Sequence, residues 1–141
     1  MDSRISALIK PTLKTKFKVD FEWWKAQDSN WKVYLQSFLC PIHQKLLADY
    51  SYTDQIDLIS PSTGEVTRVD ALFYALTEHC AKQPEFLSGN SALVDSIFKI
   101  FLVNGNNPLN SIELSSLLGK PSDTILRTIG AGRVYKGIRP A

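Results

Sequence analysis

The sequence predicts an α+β protein that is mostly α, with a helical N-terminal lobe (residues 1–89) that carries a small β-hairpin and a three-helix C-terminal lobe (residues 90–141). Two observations lead to this prediction. Apolar residues recur at helical spacing through much of the chain. Residues 56–69 instead have the pattern of two strands around a turn that contains Pro and Gly. Glycine and proline divide the remaining apolar segments into short elements.

Length and composition exclude several classes of protein. The chain has 141 residues, of which 44% are hydrophobic, 21% charged and 11% aromatic, and this composition favours a folded core over intrinsic disorder. No uncharged stretch approaches the roughly 18 apolar residues of a membrane helix, and the N-terminus does not have the pattern of a secretory signal. Two cysteines favour a reducing compartment over a disulfide scaffold. We therefore expect a cytoplasmic protein with no membrane partner.

The N-terminal lobe is expected to begin with an arm over residues 1–16, which leads into a short strand and a short helix. Phe17, Val19 and Phe21 alternate with polar residues, as in a half-buried strand. Asp20 is placed to cap a helix that starts at Phe21, because its carboxylate can accept hydrogen bonds from the first backbone N–H groups of the helix.

Two further helices are predicted before the hairpin. The polar residues 27–30 interrupt the apolar pattern, which resumes at helical spacing over residues 31–39. Pro41 ends this helix, and a third helical segment is expected over Ile42–Asp49. Aromatic residues in this region favour a core or an oligomer interface over a base-stacking surface; they are Trp23, Trp24, Trp31, Tyr34 and Phe38.

The middle of the chain combines the hairpin with a capped helix. Residues 56–59 and 65–69 flank the segment Ser60-Pro-Ser-Thr-Gly64, whose Pro and Gly suit a turn. Asp70 is placed to cap a helix over Ala71–Lys82, which carries an apolar stripe and ends at the next proline.

The C-terminal lobe is predicted to contain three helices. The first covers Ala92–Val103. Asn110 or Ser111 is an N-cap for the second, over Ile112–Leu118, which Gly119 can close in the left-handed conformation. The third helix follows a short turn and has two isoleucines, four residues apart, on its buried side; they are Ile125 and Ile129.

Two short helices joined through a Gly turn resemble the winged helix-turn-helix domains of bacterial DNA-binding proteins. The matching segments are Pro108-Leu109-Asn110, Glu113-Leu114-Ser115, Leu118-Gly119 and Thr124-Ile125-Leu126-Arg127. In such a domain the helix before them is the first helix, and the tail Gly132–Arg139 is a compact wing or terminal strand. The resemblance covers about residues 90–141, and residues 1–89 resemble no family. Three residues depart from the family's pattern: Lys120, Asp123 and Leu126.

The resemblance implies two sets of DNA-contacting residues. Base edges in the major groove would face Ser122, Thr124, Arg127 and Thr128. Phosphates would be bound by Lys120, Arg133, Lys136 and Arg139. Residues 104–141 have five Lys and Arg against two acidic residues, whereas strong salt-dependent binders make about 6–10 phosphate contacts. A homodimer or a protein partner is therefore expected to assist binding to double-stranded DNA.

The first functional hypothesis is a DNA-binding protein, a transcriptional regulator that acts as a homo-oligomer. The alternative is a non-enzymatic adaptor or complex subunit, in which the winged helix is a packing module and the aromatic N-terminal lobe binds another protein. The sequence has no paired-carboxylate, Ser-His-Asp or phosphate-loop pattern. We therefore expect no enzymatic activity.

The cysteines and histidines form two pairs, Cys40-x2-His43 and His79-Cys80. Zinc prefers these residue types, but the spacing matches no zinc signature, and neighbours on a helix project about 100° apart. The favoured interpretation is therefore a pair of structural cysteines with no metal and no other cofactor. A structural zinc site is the alternative left open.

Overall fold

The computed structural model describes residues 10–48, 55–87 and 91–141 of the chain. Within these ranges it contains seven α-helices and five short strands that pair antiparallel. The predicted α+β, mostly α fold class is confirmed. No helix in the described residues is long and apolar enough to span a bilayer.

The elements follow one another in short segments. In chain order they are β1 (Lys16–Val19), α1 (Phe21–Gln27), α2 (Trp31–Gln36), α3 (Pro41–Leu46), β2 (Gln55–Ile59), β3 (Val66–Asp70), α4 (Ala71–Glu78), two 3-10 helices (Cys80–Lys82 and Pro84–Leu87), α5 (Leu93–Val103), β4 (Leu109–Asn110), α6 (Ser111–Leu118), α7 (Ser122–Ile129) and β5 (Ile138–Pro140).

The chain divides into two compact units. The terminal unit consists of Met1–Gln27 and Gly89–Ala141, and the middle unit consists of Asp28–Ser88. This division differs from the expected lobes of residues 1–89 and 90–141, because β1 pairs with two strands from the C-terminal part of the chain. In the resulting sheet β1 lies between β4 and β5. The start of the chain therefore folds with its end.

The core of the terminal unit lies against one face of this sheet. Phe17 and Val19 of β1 are buried, whereas Lys16 and Lys18 are exposed, as expected for alternating side chains. Helix α5 contributes more residues to this core than any other element, with five buried. The rest of the core comes from α1, α6, α7 and β5; its members are Trp24, Leu114, Ile125, Ile129 and Ile138.

Helices α2 and α4 and the 3-10 helices form the core of the middle unit. Its buried apolar residues are Leu35, Leu39, Leu72, Leu76, Cys80, Ala81 and Phe86. The predicted hairpin is present as β2 and β3, paired from Gln55↔Asp70 to Ile59↔Val66. Asp70 ends β3 and caps α4, because its Oδ2 accepts a hydrogen bond from the Phe73 N–H (2.8 Å).

The aromatic residues expected to form one cluster are divided between the two units. Trp24 is in the core of the terminal unit, where its ring meets Phe98 edge-on at a centroid distance of 5.5 Å. Tyr34 and Phe38 belong to the middle unit and contact each other at 4.9 Å. The expected aromatic N-terminal lobe is thus two separate sets of packed rings.

Three predicted helices differ from the structure by more than one residue at an end. The helix expected over residues 31–39 ends at Gln36, five residues before Pro41. The helix expected over Ala71–Lys82 ends at Glu78, because His79 leaves helical geometry (φ −125°, ψ −63°). The third helical segment begins at Pro41 and ends at Leu46. Parts of two other predictions, residues 1–9 of the arm and residue 49 of that segment, lie outside the described residues.

Candidate functional site

Helix α6 is fixed at both of its ends by local interactions. Asn110 Oδ1 accepts from the Glu113 N–H (2.8 Å), and Glu113 Oε1 accepts from the Asn110 N–H (3.0 Å), which completes a capping box. At the other end Gly119 adopts the left-handed conformation (φ 70°), which suits Gly because it has no Cβ. The predicted cap and the predicted Gly turn are confirmed.

The Glu113 carboxylate interacts with a backbone N–H group and with a lysine. The hydrogen bond from the Asn110 backbone and the ammonium group of Lys16 (3.3 Å) lower the pKa of Glu113. The same carboxylate therefore caps α6 and pairs with a residue of β1. This ion pair neutralises one cation of the terminal unit.

Helix α7 packs through one face and presents the other. Ile125 and Ile129 are buried, and α7 contacts both α5 and α6. Asp123 and Arg127 are exposed. The Arg127 guanidinium contacts the Thr124 hydroxyl (3.4 Å), so the structure brings together two of the residues predicted to read bases.

The other side chains predicted to contact bases are less exposed to solvent than Arg127. The Thr128 hydroxyl donates to the Thr124 carbonyl within the helix (2.8 Å), and both residues are half-buried. Ser122 is the first residue of α7 and is also half-buried. Arg127 is therefore the side chain of this set that extends furthest into solvent.

The four residues predicted to bind phosphate differ in their exposure to solvent and in their contacts. Lys120, just before α7, and Arg133, after it, are exposed. Lys136 is half-buried in a left-handed turn (φ 51°). Arg139 in β5 donates to Asp20 Oδ2 (3.2 Å) and lies over the Trp23 ring at 5.0 Å, so its guanidinium has a structural role inside the unit.

Lys18 is a cation near this surface that the site prediction did not include. It lies directly opposite Arg139 in the β1–β5 pair, so both side chains are on the same face of the sheet. Lys18 is exposed. The sequence signal was the alternation of Lys16 and Lys18 with buried residues, but the pairing of β1 with β5 spans the whole chain and has no local signature.

The four residues Cys40, His43, His79 and Cys80, here called the Cys/His cluster, meet at one place in the middle unit. Their ligand atoms all lie within 4.8 Å of one another. Cys40 Sγ is 3.2 Å from His43 Nδ1 and 3.6 Å from His79 Nδ1. The Cys40 N–H also contacts Cys80 Sγ at 3.3 Å. The two sequence pairs are therefore a single group of side chains.

The expectation that His79 and Cys80 diverge was wrong because it assumed a continuous helix. Helix α4 ends one residue before His79, and Cys80 begins a 3-10 helix. This change of backbone direction turns both side chains toward Cys40 and His43. Burial, and then the neighbouring His79, lowers the pKa of His43, whereas burial raises the pKa of the Cys80 thiol to about 11.

No protein-family model matches the chain, and neither a curated protein nor a solved structure matches it. The functional argument consequently depends on the residues and geometry of this chain.

Proposed function

We propose that the terminal unit binds double-stranded DNA, with α7 in the major groove, and that the protein is a transcriptional regulator. One observation carries the proposal. The helix pair α6–α7 is joined at Gly119, is capped at its start, and holds α7 by its buried isoleucines, so that Arg127 faces solvent. A helix presented in this way is what major-groove readout requires.

The order of elements around this helix pair supports the same proposal. Helix α5, strand β4, helices α6 and α7, and strand β5 follow one another as they do in the winged helix-turn-helix domains that the sequence resembles. The tail after α7 turns back at Gly137, with a bridge between Tyr135 and Ile138. This turn takes the place of a compact wing.

The charges set the strength of binding that we expect. Arg127, Lys120 and Arg133 are exposed, whereas Arg139 is engaged with Asp20 and Trp23. Without Arg139, the predicted phosphate contacts are Lys120, Arg133 and Lys136, and these are fewer than the roughly 6–10 of a strong salt-dependent binder. We therefore propose that a homodimer supplies two half-sites and the additional contacts. The protein would act in the cytoplasm, where its two cysteines stay reduced.

The experiment measures binding of the full chain to a labelled duplex of about 20 base pairs, or two helical turns, by fluorescence anisotropy over a range of salt concentrations. Lys120→Ala should weaken binding and make the salt slope shallower by about one, as expected for a lost phosphate contact. Arg127→Ala should weaken binding because it removes a base contact. Lys45→Ala is the matched control, since it removes one exposed cation from the middle unit and should leave binding unchanged.

Two outcomes would contradict the proposal. One is no binding by the wild-type chain at about 50 mM salt, where phosphate contacts are least screened. The other is an equal loss of affinity for Arg127→Ala and Lys45→Ala, which would indicate only a response to net charge.

A protein–protein adaptor is the second candidate, and the exposed apolar residues of α6 favour it. Ile112 is 48% exposed and Leu117 is 63% exposed, which leaves apolar area on the outer side of the helix pair. An adaptor of this kind would bind no duplex DNA at low salt. Leu117→Ser would then weaken association with the partner protein without changing the fold of α6.

A further inference from the structure

The Cys/His cluster contains every cysteine and histidine of the chain, two of each. The pairs come from separate elements: Cys40 is the N-cap of α3 and His43 lies within that helix, whereas His79 and Cys80 follow α4. The fold thus brings together four side chains whose sulfur or nitrogen atoms can bind a metal ion, although the two pairs are nearly forty residues apart in the sequence.

The distances within the cluster fit a tetrahedral metal site. With Zn–S near 2.3 Å and Zn–N near 2.0–2.1 Å, the S···N edge of a tetrahedron is about 3.6 Å. The two S···N distances at Cys40 are 3.2 and 3.6 Å, and no pair of ligand atoms in the cluster is more than 4.8 Å apart. An ion at the centre would therefore need only small movements of the side chains.

The surroundings of the cluster indicate what such an ion would do. Helix α3 has only six residues and none of them is buried, and its apolar residues Ile42 and Leu46 are 63% and 71% exposed. A short helix in water depends on tertiary contacts for its stability. Cys40 and His43, at the first turn of α3, provide contacts of this kind, because they meet His79 and Cys80 at the end of α4.

We propose that Cys40, His43, His79 and Cys80 bind one Zn²⁺ as a structural site that fastens α3 to the end of α4. Two thiolates and two imidazoles in a tetrahedron are a donor set that zinc prefers. Four protein donors fill the coordination shell and leave no position for a substrate or a reactive water, so the site is structural. The Cys40 N–H, 3.3 Å from Cys80 Sγ, stabilises the charge on that sulfur as an outer hydrogen bond.

The first measurement is metal content. The full chain is purified without a polyhistidine tag and without chelator, and its metals are measured by mass spectrometry. We expect about one zinc per chain, because the described residues bring all the cysteines and histidines of the sequence into one set of four ligands. Less than a tenth of one zinc per chain, both as purified and after incubation with zinc chloride, would overturn the proposal.

The second measurement identifies the ligands with Co²⁺ in place of zinc. Tetrahedral cobalt bound by thiolates absorbs strongly in the visible and has a sulfur-to-metal charge-transfer band in the near ultraviolet. The wild-type chain should give this spectrum at one equivalent of Co²⁺. An octahedral spectrum, or no thiolate band, would overturn the proposal, and so would a Cys40–Cys80 disulfide in freshly purified, metal-free protein.

Variants then test each pair of ligands. His43→Ala changes a half-buried residue of α3, and we expect it to bind zinc at least tenfold more weakly and to change the visible cobalt bands, because water replaces an imidazole in the coordination shell. Cys40→Ser should lower the intensity of the thiolate band. The control is Lys45→Ala, an exposed neighbour in the same helix that should bind zinc as the wild type does. Equal zinc affinity of His43→Ala and Lys45→Ala would overturn the assignment.

A chelator provides a test that needs no variant. Removal of zinc should decrease helical circular dichroism and increase proteolysis near α3, and re-addition of zinc should reverse both changes. The DNA-binding proposal concerns the terminal unit, so either proposal can fail while the other holds. Unchanged dichroism and proteolysis after complete removal of zinc would contradict the structural role.

Discussion

The side chain of Asn106 forms two hydrogen bonds with the backbone of Val19, 87 residues earlier in the chain. Its Nδ2 donates to the Val19 carbonyl (2.8 Å) and its Oδ1 accepts from the Val19 N–H (2.9 Å). Strand β4 pairs with Lys16 and Phe17 of β1, and the side-chain amide of Asn106, three residues before β4 begins, extends this pairing along β1 to Val19. Asn106 reaches this position from a left-handed turn (φ 62°), which Asn tolerates better than most residues.

The first prediction concerns this contact. Asn106→Ala removes both hydrogen bonds, leaves polar groups of β1 without their partner and keeps an unfavourable φ. We expect it to reduce the free energy of unfolding by about 1–3 kcal/mol, measured by urea denaturation. Asn106→Gly loses the same hydrogen bonds but suits the positive φ, so it should be less destabilised than Asn106→Ala. Wild-type stability of Asn106→Ala would show that water replaces the amide at no cost.

The second prediction concerns Gly137, which combines a positive φ (77°) with close packing. A Cβ at this position would lie 2.9 Å from Trp24 Cβ and 3.0 Å from the Asp20 carbonyl. Gly132 is the matched control, since it also has a positive φ (88°) but has no atom within 4 Å of such a Cβ. Gly132→Ala should cost about 1–2 kcal/mol from backbone strain alone, and Gly137→Ala should cost more. Equal thermal unfolding of the two variants would contradict the close approach.

The third prediction is a pH dependence at Glu113. The Asn110 N–H and the Lys16 ammonium lower its pKa in the folded state, so the unfolded state binds more protons in the range between the two pKa values. The resulting stabilisation is complete above the unfolded value of about 4.3 and is lost as the pH falls through the lower, folded value. Glu113→Gln should therefore be less stable than wild type at neutral pH, and the difference should disappear in acid.

The measurement for Glu113 is denaturant unfolding of both proteins at a series of pH values. Lys16→Gln is a useful companion, because it removes the second cause of the pKa shift and leaves the Asn110 hydrogen bond in place. A stability difference between wild type and Glu113→Gln that does not change with pH would show that the charge of Glu113 contributes nothing.

The fourth prediction separates two roles of Asp70. Its Oδ2 caps α4 through the Phe73 N–H, and its Oδ1 pairs with the Lys32 ammonium (2.7 Å), where both side chains are mostly buried. Asp70→Asn retains an oxygen for the cap and loses the charge, whereas Asp70→Ala loses both. We expect about 0.5–2 kcal/mol of further destabilisation in Asp70→Ala for the lost cap. A double-mutant cycle with Lys32→Met should give a coupling energy that distinguishes the pair from the cap; zero coupling would exclude a contribution from the ion pair.

Local signals in the sequence were sufficient for most elements. Asp20 and Asp70 cap the helices that they were predicted to cap, and Asn110 with Glu113 forms the capping box. Gly119 closes α6 as predicted. These interactions join residues three or four positions apart or depend on one backbone angle, so a short window of sequence contains all their partners.

The candidate sites were predictable only in part. The exposure of Arg127 and the burial of Ile125 follow from helical spacing, and the structure agrees with both. The role of Arg139 does not follow from helical spacing, because its partners Asp20 and Trp23 lie at the other end of the chain. A cation counted for phosphate binding is therefore held in an internal contact that composition alone does not reveal.

The sequence by itself determined the fold class, the capped helices and the residue types available for chemistry, because these depend on composition and on contacts within one or two turns. Only the tertiary structure decided that β1 lies between β4 and β5, and that the Cys/His cluster is one group. Both results depend on where the backbone changes direction: a strand that pairs across the whole chain, and a helix that ends one residue before His79. Such changes arise from the packing of distant residues, which has no periodic signature in the sequence.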